Sequence, residues 1–193
     1  MKILIAGEFS GRVRDSFIAI GHDAWSCDFG PSEREGPHIE GNYFNYLDEG
    51  WDLLIGHPDC THTASSGARW FGNKEHEQDI AVQQFKELYN CDIPRICLEQ
   101  PVGIISTRFM SPTQYIQPYE FGEPETKKTC LWLRNLPALK PTGYVLPLYH
   151  SVFYEPPGEN RARNRSRTYW GIARAMAEQW GSSVDDTEWV AED

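Results

Sequence analysis

Lys2-Ile3-Leu4-Ile5-Ala6 is a β-branched run that stops at Gly7; a second glycine follows at Gly11, and Val13, Phe17, Ile18 and Ile20 then recur at helical spacing. Strand, glycine turn and helix form a unit that buries its strand only when further strands lie alongside and helices cover the sheet. The rest of the chain supplies them. Gly21 ends the helix, and His22 to Cys27 reads as a second strand with Asp28 at its tip. Residues 29 to 41 are rich in Gly, Pro and charge and read as a loop, followed by a short helix ending near Gly50. Asp52-Leu53-Leu54-Ile55 and Pro94-Arg95-Ile96-Cys97-Leu98 are further strands, separated by a helix over 74–89 with Ile80, Val82, Phe85 and Leu88 on its apolar side. Residues 103 to 119 look irregular, Thr129 to Leu133 looks like a strand, and the Pro-rich stretch 137–157 looks like loop. Residues 167 to 180 return to helical spacing through Ile172, Ala175, Met176 and Trp180. This alternation predicts an α/β fold with a mostly parallel, doubly wound, Rossmann-like sheet, whose sites lie at the carboxyl ends of the strands.

A chain of 193 residues with 40% hydrophobic content suffices for one core, so a single domain over 1–181 is expected, followed by an acidic tail over 182–193. No apolar run approaches the roughly 18 to 20 residues of a membrane span, and the first six residues are too short for a signal peptide, which points to the cytoplasm and no membrane partner. Five scattered cysteines without a CxxC pair argue against a disulfide framework or a four-cysteine zinc site. The net charge of −10 repels nucleic acid as a whole, but Arg161, Arg163, Arg165 and Arg167 leave a local cationic strip able to meet phosphate.

Four features carry candidate chemistry. The turn Gly7-Glu8-Phe9-Ser10-Gly11 could hold a carboxylate or phosphate on backbone amides at a helix start, although it lacks a full GxGxxG pattern and the P-loop lysine and could equally be a tight turn. Asp28, at a strand tip, can accept hydrogen bonds from a ribose or simply form a turn. In Gly56-His57-Pro58-Asp59-Cys60-Thr61-His62, Cys60 follows a strand and can be a nucleophile, an inert packed thiol, or a metal ligand with His57, His62 and Cys91. The spacing matches no standard zinc pattern, so no metal is expected. Glu99 ends the next strand, where it can cap a turn or, facing the same crevice as Cys60, act as a proton donor beside a nucleophile.

In this order the motifs resemble those of the cytosine carbon-5 DNA methyltransferases, particularly short phage-type members. Glu8-Phe9-Ser10-Gly11 is similar to the family's cofactor loop, and Asp28 to its ribose-holding acid. The segment from Asp52 to Cys60 is similar to its nucleophile motif, Leu98-Glu99-Gln100-Pro101 to its glutamate motif, and Phe121 to Thr129 to the lead-in to its next strand. Tyr169 to Trp180 occupies the place of the last motif. The resemblance covers most of residues 1 to 134 and the C-terminal helix. It implies a Rossmann-like S-adenosylmethionine-dependent methyltransferase fold, with the cofactor held by Glu8, Phe9, Ser10, Gly11, Asp28, Asn42 and Pro58. It also implies Cys60 adding to carbon 6 of a flipped-out cytosine while Glu99 protonates ring nitrogen 3. Gln100, Lys127, Arg163, Arg165 and Arg167 would meet base or phosphate.

Departures from the family pattern carry expectations of their own. Asp59 replaces a proline, and its carboxylate should raise the pKa of the neighbouring thiol. Asn42 and Gln100 replace an aspartate and an asparagine, while Glu125, Lys127 and Thr129 replace Gln, Arg and Arg, with loss of the rigid guanidinium forks. About thirty residues separate that segment from the last motif, which leaves no room for a separate target-recognition domain; specificity for DNA would be slight or borrowed from a protein partner. Two alternatives stand beside methylation of cytosine in DNA: modification of a free pyrimidine nucleotide, and a catalytically inactive methyltransferase fold that binds a nucleotide or a protein.

Overall fold

A computed structural model describes residues 1–66 and 74–182 of the chain. Seven strands, β1 (Lys2–Ala6), β2 (Asp23–Asp28), β3 (His38–Glu40), β4 (Leu53–Gly56), β5 (Arg95–Pro101), β6 (Gln114–Ile116) and β7 (Thr129–Arg134), form one sheet in the order β3-β2-β1-β4-β5-β7-β6. The first five are parallel, and β7 runs antiparallel to both β5 and β6. Out from β1 to β3, back across to β4, and a closing antiparallel hairpin is the topology of the Rossmann-like methyltransferase fold. The direction of winding reverses between β1 and β4, which is where such sheets open a crevice.

Strand alternation decides which helix covers which face. Ile3 and Ile5 of β1 point to the side where Val13 and Phe17 of α1 (Arg12–Ala19) pack with Ile172, Met176 and Trp180 of α6 (Trp170–Gly181). Leu4 and Ala6 point the other way, onto Val82, Phe85 and Leu88 of α2 (Glu75–Asn90). Burial on both faces is why β1 and β4 read as unbroken apolar runs. Each fully buried large side chain, Phe17 and Phe85 among them, contributes about 1.5 to 3 kcal/mol.

Several expectations are corrected in detail. Ile18, Ile20 and Ile80 are 39%, 44% and 46% exposed, outside the apolar stripes assigned to them. Ile18 lies roughly 140° round the helix from Val13, and Ile80 roughly 160° from Val82; Ile20 caps α1, where helical phase ends. Gln78 completes the buried side of α2. The short helix towards Gly50 is one 3-10 turn, Tyr43–Tyr46. Two three-residue strands lie in stretches read as loop or irregular, β3 within 29–41 and β6 within 103–119. Residues 105–108 form α3, residues 151–154 form α4, and the arginine strip is itself a helix, α5 (Arg161–Ser166), separated from α6 by Arg167 to Tyr169.

Between β7 and α6 the chain holds just the short helices α4 and α5, and no separate target-recognition domain. The acidic tail beyond Ser182 lies outside the described residues. Among the described residues no helix is long and apolar enough to cross a membrane.

Candidate active site

Strand register assembles the site. In the parallel β4·β5 pair Gly56 lies opposite Leu98, so the next residues, His57 and Glu99, emerge side by side at the carboxyl edge. In the antiparallel β5·β7 pair Pro101 lies opposite Thr129, so the chain entering β7 delivers Lys127 to the same edge. The side chains meet accordingly: His57 Nδ1 is 3.3 Å from Glu99 Oε2, and Lys127 Nζ is 3.9 Å from Glu99 Oε1. Glu99 is only 9% exposed.

Burial is the largest influence on Glu99 and pushes its pKa up, but His57 at its side and the charge of Lys127 outweigh it and hold the carboxyl below its usual range. For His57 burial pulls down, and the adjacent Glu99 carboxylate, with the charge of Glu8, overcomes it against opposition from Lys127; the ring is held above its ordinary value. Each group thus favours the charged form of the other. His57 Nε2 is buried and has no hydrogen-bond partner among the described residues.

Cys60 follows β4 and opens a turn in which the amides of Thr63 and Ala64 donate to its carbonyl. Gln100 fastens this turn to β5. Its amide nitrogen donates to the carbonyls of Pro58 (2.7 Å) and Asp59 (3.3 Å), and its oxygen accepts from the Thr63 hydroxyl (2.7 Å). Both ends of that amide are therefore engaged within the protein, so Gln100, expected to meet substrate, also sets the position of the cysteine turn. Burial raises the Cys60 pKa, and Asp59 adds to it as expected, while Lys127 and Arg165 oppose. Two of the cations expected at the substrate, Lys127 and Arg165, thus bear on the thiol.

The glycine turn, expected to hold a cofactor, has a different partner at the start of α1. Gly7, at φ 73°, passes so close to β4 that an added Cβ would lie 2.3 Å from the His57 carbonyl oxygen; this turn requires glycine. The start of α1 does hold a carboxylate, but it is the chain's own. Glu8 Oε1 accepts from Val13 N and the Ser10 hydroxyl, and Oε2 accepts from Arg14 N. Glu8 and Ser10 are thereby spent on the helix cap, and Gly11, at φ 69°, is its N-cap residue. Phe9 lies under two arginines, with Arg163 4.4 Å and Arg167 5.7 Å from its ring centre.

Those arginines, expected at phosphate, form ion pairs with Glu33 at 3.0 Å and 2.6 Å. The Arg167 hydrogen bond leads in lowering the Glu33 pKa to about 2, with Arg163 assisting against partial burial. Ser166 to Thr168 consequently close over Gly7 to Ser10 and His57, leaving about 10 Å³, room for one water.

Asp28 ends β2 half-buried, with Oδ1 accepting from Phe29 N and no hydrogen bond among the described residues using Oδ2. Asn42 caps the Tyr43–Tyr46 turn through Oδ1, which accepts from Phe44 N, and one lone pair of that oxygen is left. No three His, Cys, Asp or Glu side chains among the described residues converge as metal ligands. The sequence offers His57 only as a possible metal ligand, not as a neighbour of Glu99, and gives no sign of the pairing of Glu33. Register would have paired His57 with Glu99, whereas Glu33 meets α5 across 130 residues and leaves no local signal.

No family model matches the chain, and no curated protein does. Among solved structures, a candidate DNA modification methyltransferase encoded within an E. coli prophage aligns at TM-score 0.46 and 10% identity. The alignment covers 69% of this chain and 46% of that one, so this chain spans about half of that protein's length.

Proposed function

We propose that the protein is a cytoplasmic S-adenosylmethionine-dependent methyltransferase acting on carbon 5 of cytosine in DNA, with Cys60 as nucleophile and Glu99 as the acid at ring nitrogen 3. The observation that carries this reading is the single network around both groups. Lys127 bears on Cys60 and on Glu99, and Gln100, next to Glu99, holds the carbonyls of the two residues before Cys60. Carbon 5 of cytosine is a poor nucleophile. Bonding of the Cys60 sulfur to carbon 6, with a proton delivered to nitrogen 3, turns carbon 5 into an enamine carbon. Lys127 and Arg165 favour the thiolate against burial and Asp59. When bound, the sulfonium cofactor supplies an electrophilic methyl group. Asp28 would hold its ribose and the Asn42 oxygen its adenine amino group, with Phe9 and Pro58 beside it.

A second reading, methylation of a free pyrimidine nucleotide, draws support from Glu33. By neutralising Arg163 and Arg167 it removes two of the cations that a DNA backbone would need. If the substrate is DNA, sequence specificity belongs to a protein partner. Labelled cofactor tests both: transfer to DNA or to deoxycytidine nucleotides is expected, and Cys60→Ser should abolish it. No transfer, together with no cofactor binding by calorimetry, would leave a catalytically inactive binding protein.

A further inference from the structure

The proposed chemistry needs a proton at nitrogen 3, yet Glu99 lies between His57 and Lys127, at 3.3 Å and 3.9 Å, which favour its ionised form. A carboxylate in that state has no proton to give. The adjacent side chain has one. His57 leaves β4 one residue beyond the register pair Gly56·Leu98, and its Nδ1 is 3.3 Å from Glu99 Oε2. Glu99 is the carboxylate in ion-pair reach of the ring, and among the described residues neither Glu99 Oε2 nor His57 Nε2, both buried, has a hydrogen-bond partner. The charged groups facing the ring are Glu99 from β5, Glu8 from the glycine turn and Lys127 from the chain entering β7, and Arg167 shares the crevice wall above it.

We infer that His57 is the proton source for Glu99: a buried imidazolium that hands its Nδ1 proton to the carboxylate as Cys60 adds to the pyrimidine. The inference rests on the methyltransferase reading, and its electrons balance. Once Cys60 has given its proton to solvent, the thiolate pair forms the bond from sulfur to carbon 6, the carbon 5 to carbon 6 π pair shifts to join carbons 4 and 5, and the carbon 4 to nitrogen 3 π pair moves onto nitrogen 3. That nitrogen takes the proton from Glu99, which takes the one from His57. The thiolate and imidazolium charges disappear together, and expulsion of Cys60 reverses the movement. His57 is thus a positioning and proton-supplying group that acts through Glu99 without touching the base.

The test has two arms. In the first, nuclear magnetic resonance of protein with nitrogen-15-labelled histidine reads the protonation of His57 directly. The expected result is an imidazolium at pH 7, with a midpoint above the ordinary histidine value that falls in Glu99→Gln. A neutral His57 at pH 7, or a midpoint unmoved by Glu99→Gln, overturns the inference. In the second arm, exchange of the carbon-5 hydrogen of deoxycytidine nucleotides and of DNA with solvent reports addition of Cys60 without methyl transfer. Wild-type exchange should decline as pH rises through the His57 midpoint. His57→Gln should lose roughly ten-fold or more at pH 7 to 8 and recover towards acid, where Glu99 takes a proton from solvent. A loss by the same factor at every pH marks a merely structural histidine and overturns the inference. No wild-type exchange or methyl transfer at any pH, with the first arm positive, sinks the methyltransferase reading and with it the delivery role, and leaves an ion pair alone.

Discussion

Asp59 stands one residue from the thiol that it disfavours, and its carboxylate is built into the turn, Oδ1 accepting from the amide and hydroxyl of Thr61. Asp59→Asn keeps an oxygen in that position and removes the charge. Cys60 should then ionise more readily, and its alkylation at pH 7.5, followed on the Cys60 peptide by mass spectrometry, should quicken by roughly three- to five-fold, the scale of one charge at contact distance near water. An unchanged rate would mean that burial alone sets the thiol. Gln100 makes the opposite kind of contribution, holding geometry without charge. Gln100→Leu leaves the Thr63 hydroxyl and the Pro58 carbonyl without their partner, and each buried group so stranded costs about 1 to 3 kcal/mol. Urea denaturation should show a loss of that order at unchanged slope; a neutral result would mean that water or a shifted turn satisfies both.

At the scale of elements, the glycine turn with α1 and the strap formed by α5 govern access to the site. Glu8 takes up three donors at the start of α1, so Glu8→Ala should cost about 1 to 2 kcal/mol through the lost cap, read as a lowered midpoint in thermal or urea unfolding. Glu33 fastens α5, and its pKa is lowered, so its contribution is complete above the ordinary carboxylate value and is lost as pH falls towards about 2. Glu33→Ala at neutral pH should mimic that acid state: amide exchange over 161–168 should rise, and cofactor association should accelerate as the turn is uncovered. Unchanged exchange would show that stacking of Arg163 and Arg167 on Phe9 suffices. How legible these elements are in the sequence follows from their physics. The long strands and the stripe through Ile172, Ala175, Met176 and Trp180 announce themselves by burial periodicity, whereas β3 and β6, three residues each, are too short to have a period. Cys60 and Glu99 could be read because one follows β4 and the other lies near the carboxyl end of β5. The self-capping role of Glu8 and the pairing of Glu33 with α5 depend on where loops fold back, which no local spacing encodes.

For the whole molecule, a charge of −10 sets the terms on which any nucleic acid is met. Attraction to a phosphate backbone must come from a few local cations, and the structure has already neutralised two of them: Arg163 and Arg167 belong to Glu33, leaving Lys127, Arg165 and Arg161 for a polymer. Two or three phosphate contacts release two or three counterions, so DNA affinity should fall roughly ten- to forty-fold between about 50 and 200 mM salt. A single nucleotide, with no condensed counterions to release, should lose only a few-fold. Glu33→Ala returns two arginines to the surface. If DNA is the substrate, that variant should bind it more tightly at low salt and with a slope steeper by about two, since the freed guanidinium groups add contacts to the same track. Equilibrium binding by fluorescence anisotropy across a salt series, for the wild type and this variant, measures both slopes. A shallow wild-type slope that Glu33→Ala leaves unchanged, with methyl transfer to deoxycytidine nucleotides intact, would shift the reading to a free pyrimidine nucleotide, because a strap whose arginines never meet phosphate has no role on a DNA chain.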